Sequence, residues 1–103
     1  MSDQEQQLLK EASRGAMAKG VIENEVYREA MSIVESDILE KWKASPIRDT
    51  EGQLALRLKW QCLQEIKGYI KDVMETGKLA ETVLEENRTL AQRARAALHQ
   101  LRR

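Results

Sequence analysis

One pair of residues in this sequence could act as a nucleophile and its base, Cys62 and His99. A thiolate activated by an imidazole is the attacking group in many covalent mechanisms. Cys62, however, lies on the flank of an apolar helical stripe, where a free cysteine is usually a buried and unreactive side chain. His99 lies close to the end of the sequence, between Leu98 and Gln100. We therefore expect Cys62 to be a core residue and the pair to be non-catalytic.

Metal-binding and phosphate-binding patterns are missing from the sequence. A carboxylate-bridged metal site in a helical bundle uses a glutamate three residues before a histidine, but Ala96 stands at that position before His99. The single cysteine has no partner at zinc-ligand spacing, and no glycine-rich loop comes after a strand-like segment. Neighbouring acids such as Glu85 and Glu86 point in different directions on a helix. We predict no metal, no cofactor and no enzymatic activity.

Arginines are the clearest candidates for contacting a partner. Residues 88–103 contain five of them and no acidic residue: Arg88, Arg93, Arg95, Arg102 and Arg103. Three of the five are seven residues apart and share one side of a helix. Such a stripe could contact phosphate groups or an acidic protein. The alternative is a solvated face with cations placed favourably near a helix C-terminus.

Charge is distributed unevenly along the chain, although the formal net charge is +0. Residues 1–41 hold nine acids and five bases, a net of −4. Residues 42–87 are nearly balanced, with eight acids and seven bases. The five bases of residues 88–103 supply the compensating +5. A chain polarised in this way can pair with copies of itself or present its basic end to an acidic partner.

Two tryptophans flank the only proline. Trp42 stands four residues before Pro46, and Trp60 stands 14 residues after it. No set of polar residues converges on either ring, which argues against a ligand pocket. We predict that Trp42 and Trp60 fill the core of a helical hairpin or act as interface anchors, a role in which tryptophan is enriched.

The composition predicts helices rather than sheet, because Ala, Glu, Lys, Leu, Arg and Gln dominate. Apolar residues recur at spacings of three and four through 21–44 and again through 53–76, which is typical of amphipathic helices. We predict an all-α fold, with an N-terminal arm or short helix in 1–20. An antiparallel helical hairpin comes next in 21–80, and a basic C-terminal helix in 81–103. The wide apolar stripes predict that self-association completes the core.

The segment WKASPIRDTEGQ, residues 42–53, separates the two stripes and contains several helix-boundary signals. Ser45 before a proline is one possible N-cap, and Thr50 is another, with Gln53 closing a capping box. Asp49 is a third candidate cap. At the far end of the second stripe, Gly77 predicts a helix stop in the left-handed conformation. The segment after Gly77 would be either a third helix or a bent continuation of the second.

Residues 23–80 resemble a group of small helical proteins encoded by tailed bacteriophages and prophages. The shared pattern is a tryptophan, a Pro-x-Arg-Asp-Thr-Glu-Gly corner and a later Gly-Lys-Leu-Ala, matched here by Trp42, Pro46, Arg48, Asp49, Thr50, Glu51, Gly52, Gly77, Lys78, Leu79 and Ala80. These proteins are encoded near head and packaging genes. The resemblance therefore implies a phage origin and an assembly context, and its motifs are structural rather than catalytic. Residues 1–20 and 81–103 lie outside it.

These features favour a non-enzymatic phage protein that acts in virion assembly or DNA packaging through helical protein contacts. We expect a homo-oligomer that binds phage structural or packaging proteins. The alternative is a DNA-binding packaging component similar to a small terminase subunit, with nucleic acid bound by the C-terminal arginines. A third possibility is an inhibitor of a host protein.

Membrane association and secretion are not expected. No apolar run approaches the roughly 18 residues that span a bilayer. The first residues are polar and acidic, unlike a secretory signal, and a lone cysteine fits a reducing compartment. We expect the protein in the host cytoplasm or in the virion.

Overall fold

The computed structural model describes residues 2–102, and these residues form three α-helices: α1 (Asp3–Glu23), α2 (Glu25–Ala44) and α3 (Thr50–Leu101). No strand occurs among them, so the all-α prediction is confirmed. The chain divides into two compact units. The terminal unit combines Met1–Met17 with Val73–Arg103, and the central unit is Ala18–Asp72.

A single residue, Asn24, separates α1 from α2. Its backbone is extended (φ −67°, ψ 126°), and its side-chain oxygen accepts a hydrogen bond from the N–H of Tyr27 at 2.9 Å, as an N-cap does. Arg28 closes the end of α1, because its Nε donates to the carbonyl of Ile22 at 2.9 Å. The prediction of one amphipathic helix through 21–44 is therefore wrong, because Asn24 separates α1 from α2.

The connection between α2 and α3 begins where Ser45 precedes Pro46. A residue before proline is held out of the helical region, and Ser45 has φ −71° and ψ 138°. Its N–H and its hydroxyl both donate to the carbonyl of Trp42, at 3.1 and 2.6 Å. The prediction of a helix start at Ser45 is wrong, because this residue closes α2.

Asp49 caps α3, which begins at Thr50. The Oδ1 atom of Asp49 accepts a hydrogen bond from the N–H of Gly52 at 3.0 Å. A Cβ at position 52 would meet this carboxylate, so a side chain there would displace the capping group from its present position. Gln53 closes no capping box around Thr50; its side-chain amide donates to the carbonyl of Pro46 at 3.1 Å.

Gly77 lies inside α3 rather than at a helix end. α3 runs without interruption for 52 residues, and no described glycine has a positive φ. Within the terminal unit, a Cβ built on Gly15 or on Gly77 would lie 2.5 Å from the Cα of the other glycine. Glycine therefore serves a close helix crossing here and not a turn. The predicted helix stop at Gly77 is wrong, and the basic segment 81–103 continues the long helix as far as Leu101.

Candidate protein-protein interface

Few apolar side chains are buried in this chain. Among the described residues the buried ones are Ala18, Ile38 and Ala80, and no large side chain is fully buried. Among the same residues, large apolar side chains such as Val26, Ile33 and Leu79 are exposed instead. Exposed apolar surface of this extent is typical of a protein that buries it against a partner.

In the central unit, α2 packs antiparallel on the first part of α3. The carboxylate of Glu35 accepts a hydrogen bond from Lys67 at 2.7 Å and another from Gln64 at 3.2 Å. One turn closer to the connection, Ile38 is only 7% exposed and lies beside Leu56. Residue numbers therefore increase along α2 while they decrease along the facing part of α3. The two helices are antiparallel and form a hairpin.

The face of α2 that packs on α3 is not its most apolar face. Its buried and half-buried side chains are spaced three and four residues apart: Tyr27, Met31, Glu35 and Ile38. The apolar stripe expected from the sequence does not point at α3 but lies to one side of the contact. Val26 is therefore 71% and Ile33 67% exposed. Because the stripe is shifted by roughly one hundred degrees around the helix, the chain itself does not cover it.

Two open apolar grooves flank Ile38 in the central unit. The first, of about 350 Å³, is lined by Ile38, Leu39, Trp42, Leu56, Arg57 and Trp60. Trp42 is 54% and Trp60 41% exposed, so neither ring is a core residue of this unit. Half-exposed indoles on one groove are the side chains most enriched at protein interfaces.

The second groove, of about 580 Å³, has a wall formed by Val34, Leu58, Cys62 and Ile66. Cys62 is exposed in this groove. The expectation of a buried cysteine is therefore wrong, because Cys62 lies with Leu58 and Ile66 on the flank of α3 that α2 leaves exposed. Apolar surface on both sides of a two-helix unit is the arrangement that a larger helical bundle would cover.

The ion pair of Glu35 gives the central unit a dependence on pH. The hydrogen bonds from Lys67 and Gln64 lower the pKa of the Glu35 carboxyl below its ordinary value of 4.5, against a smaller opposing effect of burial. A carboxyl with a lowered pKa in the folded state adds stability above its unfolded pKa. That contribution is lost as the pH falls through the folded pKa.

We predict that Glu35→Gln lowers the free energy of unfolding at neutral pH by at most about 1 kcal/mol, since Lys67 is partly exposed. Urea unfolding across acidic pH would show this difference disappearing below the folded pKa of Glu35. Asp37→Asn is the matched control, because Asp37 pairs with Lys41 only along the surface of α2. It should cost a few tenths of a kcal/mol. Equal losses for both variants would contradict a role of Glu35 between the helices.

The terminal unit contains a groove with acidic walls and an apolar floor. Its volume is about 480 Å³, and it is lined by Glu5, Leu9, Glu81, Leu84, Glu85, Asn87 and Arg88. Arg88 forms an ion pair with Glu85. Among the described residues, Glu5 and Glu81 take part in no ion pair, so the groove keeps a negative charge.

The last turns of α3 have no covering element. Every described residue from 91 to 102 is exposed, including Arg93, Arg95 and Arg102. Of the arginines predicted to contact a partner, Arg88 alone lies in the groove, and Arg103 is outside the described residues. The charge pattern identified the segment, but only the structure shows that its apolar side is uncovered too, with Leu98 and Leu101 exposed.

Cys62 and His99 are each exposed and belong to different units. Within residues 2–102, no group of three His, Cys, Asp or Glu side chains could hold a metal ion. No helix over the same range has both the length and the apolar character of a bilayer span.

Comparison of the chain with protein-family models, with curated proteins and with solved structures finds no match. The candidate interface therefore rests on the geometry and exposure of this chain's own residues.

Proposed function

We propose that this protein is a non-enzymatic assembly component that self-associates through its exposed apolar helix faces. The observation that carries the proposal is the outward apolar stripe of α2, with Val26 and Ile33 exposed beside a two-helix unit that buries almost no core. A second copy offers the same stripe, and the commonest soluble homo-oligomers are twofold dimers that pair the same surface of both chains.

The biological setting of the proposal comes from the resemblance of residues 23–80 to small helical phage proteins. The resemblance supports a role in virion assembly or DNA packaging, in which the protein would bind phage structural or packaging proteins. The elements that carry the resemblance, including the Asp49 cap and the Gly77 crossing, shape the helices. They support a structural role and supply no group for chemistry.

Light scattering of the full chain at high micromolar concentration tests the self-association. We expect a mass above the 11.8 kDa of one chain. Ile33→Glu should lower this mass, because it puts a charge into the apolar interface. Ser32→Glu is the matched control: it adds the same charge to an exposed polar position of α2 on the side away from the apolar stripe, and it should leave the mass unchanged. A mass of one chain at every concentration would overturn the proposal.

DNA binding is the second candidate, favoured by the full exposure of the arginine-rich end of α3. A gel-shift assay at low salt compares the native chain with a variant that has alanine at positions 88, 95 and 102. Loss of a shift in the variant would support phosphate contact by this stripe, because each lost contact removes counterion release. Binding that survives the three substitutions would exclude the stripe as the DNA contact.

A further inference from the structure

We propose that the arginine-rich end of α3 docks into the acidic groove of the terminal unit of a second copy. The two partners of this contact are the uncovered segment 91–102 and the groove lined by Glu5, Glu81 and Leu84. The inference rests on the proposed self-association and names one of the surfaces that would produce it.

The first argument is that the segment needs a cover. All of its described residues are exposed, and most of the stability of a helix in a protein comes from packing of its apolar face. One side of α3 carries Leu84, Ala91 and Leu98, which follow one another at intervals of seven residues. This side faces the groove at Leu84 and continues, uncovered, along the segment. An apolar helix side of this kind is what a groove with a leucine floor accepts.

The second argument is charge complementarity. Arg95 and Arg102 lie one turn to either side of Leu98, on the same side of the helix. The groove offers the carboxylates of Glu5 and Glu81, neither of which has an ion-pair partner among residues 2–102. A basic helix therefore enters an acidic groove, and the match of charges fixes its orientation.

The third argument is geometric and selects a second copy as the occupant. The groove and the segment are consecutive parts of α3. A twofold axis near residue 91, with the two α3 ends antiparallel, places each segment on the groove of the other chain. That register brings Leu98 over Leu84 and Arg102 beside Glu81. Pairing of two such segments with each other would instead put arginine stripes in contact.

Sedimentation equilibrium of charge-reversed variants tests the contact. We expect Arg95→Glu with Arg102→Glu to weaken self-association by about tenfold or more, because like charges then meet in the groove. Arg93→Glu is the matched control. It makes the same change in the same segment, five residues from Leu98 and on the opposite side of the helix, and should alter association by less than about threefold.

A charge exchange separates a lost contact from a lost fold. The chain with Glu5→Arg and Glu81→Arg should also associate weakly by itself, but an equimolar mixture with the Arg95→Glu and Arg102→Glu chain should recover a hetero-oligomer. Undiminished association of both variants would overturn this inference while leaving the proposed self-association intact. A native chain that is monomeric throughout would overturn both. Loss of a DNA shift with unchanged mass would assign the arginines to nucleic acid instead.

Discussion

Replacing Ile38 with alanine is expected to lower the free energy of unfolding by about 2–4 kcal/mol. Ile38 is 7% exposed and is the one large apolar side chain among the described residues that is buried. It stands between the two grooves of the central unit and is the most deeply buried described residue of α2. Urea unfolding followed by circular dichroism measures the loss.

Ile47→Ala is the matched control for this prediction. Ile47 lies in the connection between α2 and α3 and is 91% exposed, so the same truncation removes almost no buried surface. We expect a change within about 0.5 kcal/mol. Equal effects of the two substitutions would mean that α2 and α3 are not held together at Ile38.

The second large effect is expected at the crossing of α1 and α3. Gly77→Ala places a methyl group 2.5 Å from the Cα of Gly15 and 2.9 Å from the carbonyl oxygen of Glu11. These are backbone atoms, so the helices must move apart rather than a side chain turn aside. Overpacking of this kind costs about 1–3 kcal/mol.

Gly20→Ala isolates that cost, because a Cβ at position 20 meets nothing within 4 Å. Both substitutions gain the same helix propensity, which by itself stabilises by about 1 kcal/mol. Gly20→Ala should therefore raise the free energy of unfolding. The free energy of unfolding of the Gly77→Ala chain should be lower than that of the Gly20→Ala chain by the full steric cost. If Gly77→Ala stabilised the chain as much as Gly20→Ala does, the close crossing would be refuted.

The close crossing of Gly15 and Gly77 also shows which features the sequence could and could not reveal. Composition and spacing predicted helices correctly, because propensity is local. Gly77 was interpreted as a helix stop because a glycine after a helical run usually is one. Its actual reason lies in Gly15, about sixty residues earlier, and the sequence pattern does not reveal such a crossing. The helix break at Asn24 was also not predicted, because an interruption of a single residue leaves the spacing of the apolar residues almost undisturbed.

The candidate site was predictable in kind but not in position. Trp42, Trp60 and the arginine stripe were identified from residue type and spacing. The sequence could not show that α2 would turn Met31 and Ile38 inward and leave Ile33 outside, because both faces carry apolar residues. The acidic groove was invisible as well, since Glu5 and Glu81 come together only when α1 packs on α3.

The central claim is that a second copy completes the core, and the concentration dependence of urea unfolding tests it most directly. Unfolding that is coupled to dissociation must shift with chain concentration by mass action. For a dimer we expect the apparent free energy of unfolding to rise by about 2.7 kcal/mol when the concentration is raised about 100-fold, with the midpoint moving to higher urea. Superimposable unfolding curves over that range would contradict the claim, because each chain would then fold and hold its structure alone.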